Sequence, residues 1–155
     1  MNAVAGVRRR FDPLADYIPA HITLVFPFES EISEVELRQH IEKATAGIRA
    51  FPVGFGQVVG TDDQYLLLTF TQGVDEVAGL HDHLYTGPLL PFLSAEIPFV
   101  PHITVGRLTT PDDLRNALQL TRSLELGRGT TANSVATFRI DKQQEGSIEF
   151  EVPLG

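Results

Sequence analysis

The chain contains no cysteine, which removes disulfides, thiol nucleophiles and thiolate metal sites from its candidate chemistry. No apolar run approaches the ~18 residues of a membrane span. The first residues also lack the apolar core of about 7–15 residues that marks a secretory signal. These absences predict a cytoplasmic protein with no membrane partner. Positive charge is scarce as well: 12 Lys and Arg stand against 20 Asp and Glu, a formal net charge of −8. Each phosphate contact of a broad nucleic-acid interface draws on a Lys or Arg, so no extended nucleic-acid surface is expected. Division after Val77 gives −5 (6 basic, 11 acidic) and −3 (6 basic, 9 acidic), so neither half is a basic binding module. A small nucleotide or an RNA end held in a local cleft stays compatible with this charge.

What is present is the composition of a globular protein, 43% hydrophobic and 21% charged over 155 residues, enough for one domain with a real core. No low-complexity segment divides the chain. Instead it repeats itself. Ile18-Pro19-Ala20-His21-Ile22-Thr23-Leu24 is echoed by Phe99-Val100-Pro101-His102-Ile103-Thr104-Val105, and Val4-Ala5-Gly6-Val7 by Val77-Ala78-Gly79-Leu80.

The order of elements is repeated too. Ile22–Phe26 reads as a strand, and Ser33-Glu34-Val35-Glu36 as a capping box opening a helix with the apolar stripe Leu37, Ile41, Ala44 and Ile48. Strands are then expected over Pro52–Val59 and Tyr65–Thr71, turning at Gly60-Thr61-Asp62-Asp63, and a helix over Val74–Tyr85 buries Val77, Leu80 and Leu84. In the second half, His102–Leu108 is a strand and Thr110 caps a helix with Pro111 at its first position and Leu114, Ala117 and Leu118 inward. Strands over Asn133–Ile140 and Ser147–Val152 flank a turn from Asp141 to Gly146. The pattern predicts a single α+β domain over residues 1–155, with two similar lobes related by a pseudo-twofold, each an antiparallel sheet backed by helices around a central cleft.

Side chains two apart on a strand share a face. His21 and Thr23 therefore point together, away from Ile22 and Leu24, and His102 and Thr104 repeat the arrangement. Breaking a phosphodiester needs one proton removed from the attacking oxygen and one delivered to the leaving oxygen. Histidine, which titrates near neutrality, can do either. A threonine hydroxyl can donate to a non-bridging oxygen where charge develops. If each ring reaches a phosphate oxygen, the two rings should stand on the order of 6–8 Å apart.

The motifs His21-Ile22-Thr23-Leu24 and His102-Ile103-Thr104-Val105 resemble the paired signature of the two-histidine (2H) phosphoesterase superfamily. That group includes bacterial 2′-5′ RNA ligase-like proteins, cyclic nucleotide phosphodiesterases and 2′-5′ oligoadenylate-degrading enzymes. The resemblance implies a bilobal fold, His21 and His102 as catalytic acid and base, Thr23 and Thr104 as substrate-binding residues, and neither metal nor cofactor. It implies opening of 2′,3′-cyclic phosphates or hydrolysis of 2′-5′ bonds in nucleotides or RNA ends. The alternative is a non-catalytic binder of the same ligands. The family usually opens with a strand before the first helix, and only Met1-Asn2 precede Ala3-Val4 here. The first lobe is therefore expected to be one strand short, or the recorded start to lie downstream of the true one. Oligomeric state carries no signal.

Other polar clusters have plainer readings. His81 and His83 lie ~200° apart around a helix, so His81-Asp82-His83 reads as solvated surface, and His40 as a surface ion-pair partner of Glu36. Arg8-Arg9-Arg10 reads as a solvated helix end. Strict alternation turns Arg107 away from the His102 face unless a bulge at Gly106 intervenes. Gly54-Phe55-Gly56 sits in an expected hairpin with no helix after it, which excludes a dinucleotide loop.

Overall fold

The computed structural model describes residues 2–140 and 146–155. Its helices are α1 (Asn2–Phe11), α2 (Glu34–Ala44), α3 (Val74–Leu84) and α4 (Pro111–Arg122), with a 3₁₀ segment at Gly87–Phe92. Its strands are β1 (Phe51–Gly60), β2 (Tyr65–Gln72), β3 (Ile103–Arg107), β4 (Gly129–Ala132), β5 (Ser134–Ile140) and β6 (Gly146–Pro153). The fold is α+β, built on two antiparallel sheets. One has the order β3-β2-β1-β4 and the other pairs β5 with β6. Apart from Gly146, the turn expected from Asp141 to Gly146 falls outside the described residues.

Local chemistry sets the helix ends. Ser33 Oγ accepts from the Glu36 amide at 3.2 Å while the Glu36 carboxylate accepts from the Ser33 amide at 3.0 Å. Those bonds, the amide first and then the Ser33 hydroxyl, hold the Glu36 carboxyl below its ordinary range. Gly47, at φ 79°, turns the chain in the left-handed region just beyond α2. Thr110 caps α4 by accepting from the Asp113 amide at 3.1 Å, with Pro111 in the first turn.

The larger sheet mixes strands from the two sequence halves. β1 and β2 come from the first half, yet their outer neighbours are β4 and β3 from the second. β4 was not expected from the sequence. It is four residues long and largely threonine and glycine, and its pairing with Phe51–Gly54 of β1 creates it. The two cores nevertheless keep the repeat. Val4 and Val7 of α1 pack with Leu66, Leu68, Ile103, Val105 and Ala117, whereas Val77 and Leu80 of α3 pack with Ile41, Val53, Phe150 and Val152. The echoed apolar pairs of the sequence thus serve one core each.

The run Ile22–Phe26 does not form the expected strand. Only Ile22 pairs, through one antiparallel bridge to Ile103. The Phe26 amide, which a strand would give to a ladder, donates instead to the Tyr85 hydroxyl at 3.1 Å, and Pro27 then has no amide to offer.

Two measurements test this architecture. Leu68 is fully buried at the centre of the larger sheet, so Leu68→Ala should lower the unfolding free energy by about 2–5 kcal/mol in urea titration. The Glu36 carboxyl is held down in the fold, so its contribution is present above the ordinary glutamate range and fades as pH falls through the lowered value. Glu36→Gln should flatten the acid side of the melting-temperature profile.

Candidate active site

The bridge between Ile22 and Ile103 determines what lies around it. In an antiparallel pair, one step either way sets His21 across from Thr104 and Thr23 across from His102. Ile103 is buried and Ile22 packs against both cores, so these two point inward. The four polar side chains therefore share the opposite face, where His21 is exposed and Thr23, His102 and Thr104 are half-buried. His21 and His102 occupy diagonal corners of this square. Diagonal neighbours across an antiparallel pair start about 7–8 Å apart at the backbone.

Both rings are held alike. His21 Nδ1 lies 2.8 Å from the Pro19 carbonyl and His102 Nδ1 lies 2.6 Å from the Val100 carbonyl. A carbonyl only accepts, so Nδ1 carries the proton and donates it in each case. That leaves each Nε2 as the nitrogen able to exchange a proton with a ligand. The same two-residue backward bond in both segments is the structural form of the sequence repeat. Phe138 of β5 stands beside His21, ring centres 6.0 Å apart and tilted by 30°.

Arg107 joins the same face, against strict alternation. Leu66 pairs with Gly106 but Leu67 with Thr104, so Val105 is an extra residue on β3. This bulge restores Arg107, opposite Tyr65, to the side that carries Thr104, opposite Leu67. Gly106 makes the bend possible beneath α1: a Cβ there would meet Leu66 Cδ1 at 2.8 Å and Phe11 Cβ at 3.0 Å. The Arg107 guanidinium lies over the Tyr65 ring at 5.3 Å, and its Nε is 3.6 Å from Asp12 Oδ1. That Nε is buried and has no hydrogen-bond partner among the described residues. The Gly106 preceding it was the sequence signal for this placement.

Three surface readings are corrected. Arg8 is not a solvated helix end. It is buried, and Nε and Nη2 both donate to Asp12 Oδ2, at 3.1 and 2.8 Å, while Arg9 and Arg10 remain exposed. Asp12 Oδ1 accepts from the Leu14 amide at 3.0 Å, so this carboxylate anchors the chain where it leaves α1 for His21. His40 does not pair with Glu36, whose carboxylate serves Ser33. Its Nε2 donates to the Leu84 carbonyl at 2.7 Å, tying α2 to the end of α3. His81 is buried, stacked on Phe99, while His83 is exposed. Among the described residues no three His, Asp or Glu side chains gather as a metal-ligand set.

Comparison with known proteins identifies the family. Residues 1–144 match the sequence profile of the 2′-5′ RNA ligase superfamily. A Bacillus licheniformis protein named "Putative phosphoesterase" is 32% identical over 119 residues, covering 72% of this chain and 66% of the relative. One of the same description from Halalkalibacterium halodurans is 29% identical over 116 residues, covering 72% and 65%. A Bacillus cereus protein so named is 29% identical over 104 residues, covering 66% and 59%. The chain thus spans about three fifths to two thirds of these relatives' length.

The carboxylate shared by Arg8 and Arg107 gives this subsection its test. Asp12→Ala strands a buried guanidinium and should cost about 3–5 kcal/mol in urea denaturation, whereas replacing the pair together, Arg8→Met with Asp12→Leu, should recover much of that loss.

Proposed function

Since the chain belongs to the 2′-5′ RNA ligase superfamily, we propose that its shared polar face hydrolyses phosphodiesters, with 2′,3′-cyclic phosphates or 2′-5′ bonds of nucleotides and RNA ends as substrates. The observation that carries this reading is the register of Ile22 with Ile103, which groups two imidazoles and two hydroxyls on one face with both Nε2 atoms free of the backbone.

In the proposed reaction a neutral Nε2 takes a proton from water as the water oxygen attacks phosphorus. The bond from phosphorus to the departing ribose oxygen breaks, and that oxygen receives a proton from the Nε2–H of the other, protonated ring. The products are a phosphomonoester and a free hydroxyl. Because Nδ1 of each ring is already committed to a carbonyl, the proton entering and the proton leaving both pass through Nε2. His21 and His102 are the catalytic pair in this reading, and pseudo-symmetry lets either begin as base. Thr23 and Thr104 donate to non-bridging oxygens. Arg107 adds a fixed positive charge beside Thr104.

The chemistry asks for no metal or cofactor. A cytoplasmic setting and a nucleotide or RNA-end ligand, without an extended nucleic-acid footprint, belong to the same reading. They suit a protein whose net charge is −8 and whose phosphate-binding groups are confined to one small face.

The test is turnover, with chelator present, of a panel of 2′,3′-cyclic nucleotides and 2′-5′-linked dinucleotides. His21→Ala and His102→Ala should each lower kcat by about 10²–10⁴-fold with little change in melting temperature. The wild-type pH–rate profile should be bell-shaped and unaffected by chelator. Near wild-type turnover in both variants would overturn the mechanism. Ligand-induced stabilisation with no product would make the face a binding site instead.

A further inference from the structure

The first motif segment is irregular after its single bridge at Ile22, and the second is approached through the irregular stretch that ends at His102. Backbone pairing therefore holds neither the flank that follows Thr23 nor the flank that precedes His102. Both flanks instead meet one turn of α3.

The Tyr85 hydroxyl, at the end of that turn, accepts from the Phe26 amide at 3.1 Å, three residues beyond Thr23. His81, one turn earlier, stacks its ring on Phe99 with centres 4.0 Å apart and planes within 16°, three residues before His102. The two anchors also touch each other, edge to face, with ring centres 4.9 Å apart and planes at 63°. Both are buried, at 9% exposure for His81 and 4% for Tyr85. The His81 ring is oriented by Asp82, whose carboxylate lies 3.0 Å from Nδ1. The turn itself is immobilised on three sides. Val77, Leu80 and Leu84 sit in the core, the Tyr85 amide donates to the His81 carbonyl, and His40 donates to the Leu84 carbonyl.

We propose that His81 and Tyr85 are positioning residues, a rigid clamp on α3 that sets how far apart the two histidine segments stand. The proposal rests on the phosphoesterase reading for its catalytic consequence, though the clamp itself is a statement about geometry. Tyr85 fixes the outgoing end of the His21 segment by a hydrogen bond. His81 fixes the incoming end of the His102 segment by stacking. Because the anchors lie four residues apart on one helix, their separation is that of a helical turn, about 5–6 Å. A substitution in either anchor therefore moves one motif relative to the other.

Three variants separate this role from general stability. Tyr85→Phe removes one oxygen and keeps the ring. His81→Phe keeps a stacking ring without its nitrogens. His81→Ala removes the stack. On the best substrate of the panel, Tyr85→Phe and His81→Ala should each lower kcat about tenfold with KM changed by less than about twofold, since misplacement of reacting groups acts on the transition state. His81→Phe should restore most of the rate lost in His81→Ala. The Tyr85→Phe/His81→Ala double variant should lose less than the product of the single losses, because both act on one spacing. The imidazole Hε1 resonances of His21 and His102 report placement without any turnover, and both should shift in Tyr85→Phe. If wild-type protein turns over no substrate, the phosphoesterase reading fails while these resonances still decide the clamp. If His81→Ala does not fold, Tyr85→Phe and His81→Phe carry the test. Wild-type kcat in Tyr85→Phe, with both histidine resonances unmoved, would overturn the proposal.

Discussion

A single backbone bridge, Ile22 to Ile103, is the constraint on which the site depends. Ile22 packs against both cores, and Ile103 is buried in one of them. The bridge's hydrogen bonds decide which residues stand opposite one another. A slip of one residue would turn a histidine and a threonine from the open face toward the apolar interior, where an imidazole without a partner is costly. The burial of Ile103, together with Leu66 and Leu68 on the neighbouring strand, opposes that slip. Hydrophobic packing on one side of the sheet thus holds the register that groups the polar side chains on the other.

Much of this was legible in the sequence because alternation is a local rule. The His-x-Thr spacing placed each pair on one face, the capping box and Thr110-Pro111 located two helix starts, and the repeat announced two histidine segments. What escaped depended on partners far along the chain. Strict alternation turns Arg107 away unless a bulge at Gly106 intervenes, and whether it does depends on the pairing with β2, which leaves Val105 unpaired and reverses parity. Ile22–Phe26 looked like a strand by composition, but a tyrosine 59 residues away claims the Phe26 amide. β4 carries too little apolar pattern to announce itself, and exists because β1 offers an edge.

His81 is a different kind of miss, since its signal was local and misread. His81 and His83 do diverge around the helix, one buried and one exposed. The apolar stripe decides which of them is buried. Val77, His81 and Leu84 fall at i, i+4 and i+7, the inward face of an amphipathic helix. A polar residue at such a position, set between Tyr85 of its own helix end and Phe99 of the His102 segment, has a task other than solvation. Asp12 and Arg8 follow the same logic: residues four apart at a helix end found each other and became interior.

The mixing of strands from the two halves has a consequence for how this protein comes to exist. β1 finds one of its neighbours only when β4 arrives, some eighty residues later in the chain, and β2 waits for β3. Contacts so distant are formed late and against a large loss of chain freedom, which slows folding. A ribosome that has released only the first half has exposed the β1–β2 hairpin with two unsatisfied edges, open to pairing with other chains until the second half emerges. The duplicated sequence therefore does not confer duplicated independence; each half is the template on which the other is completed.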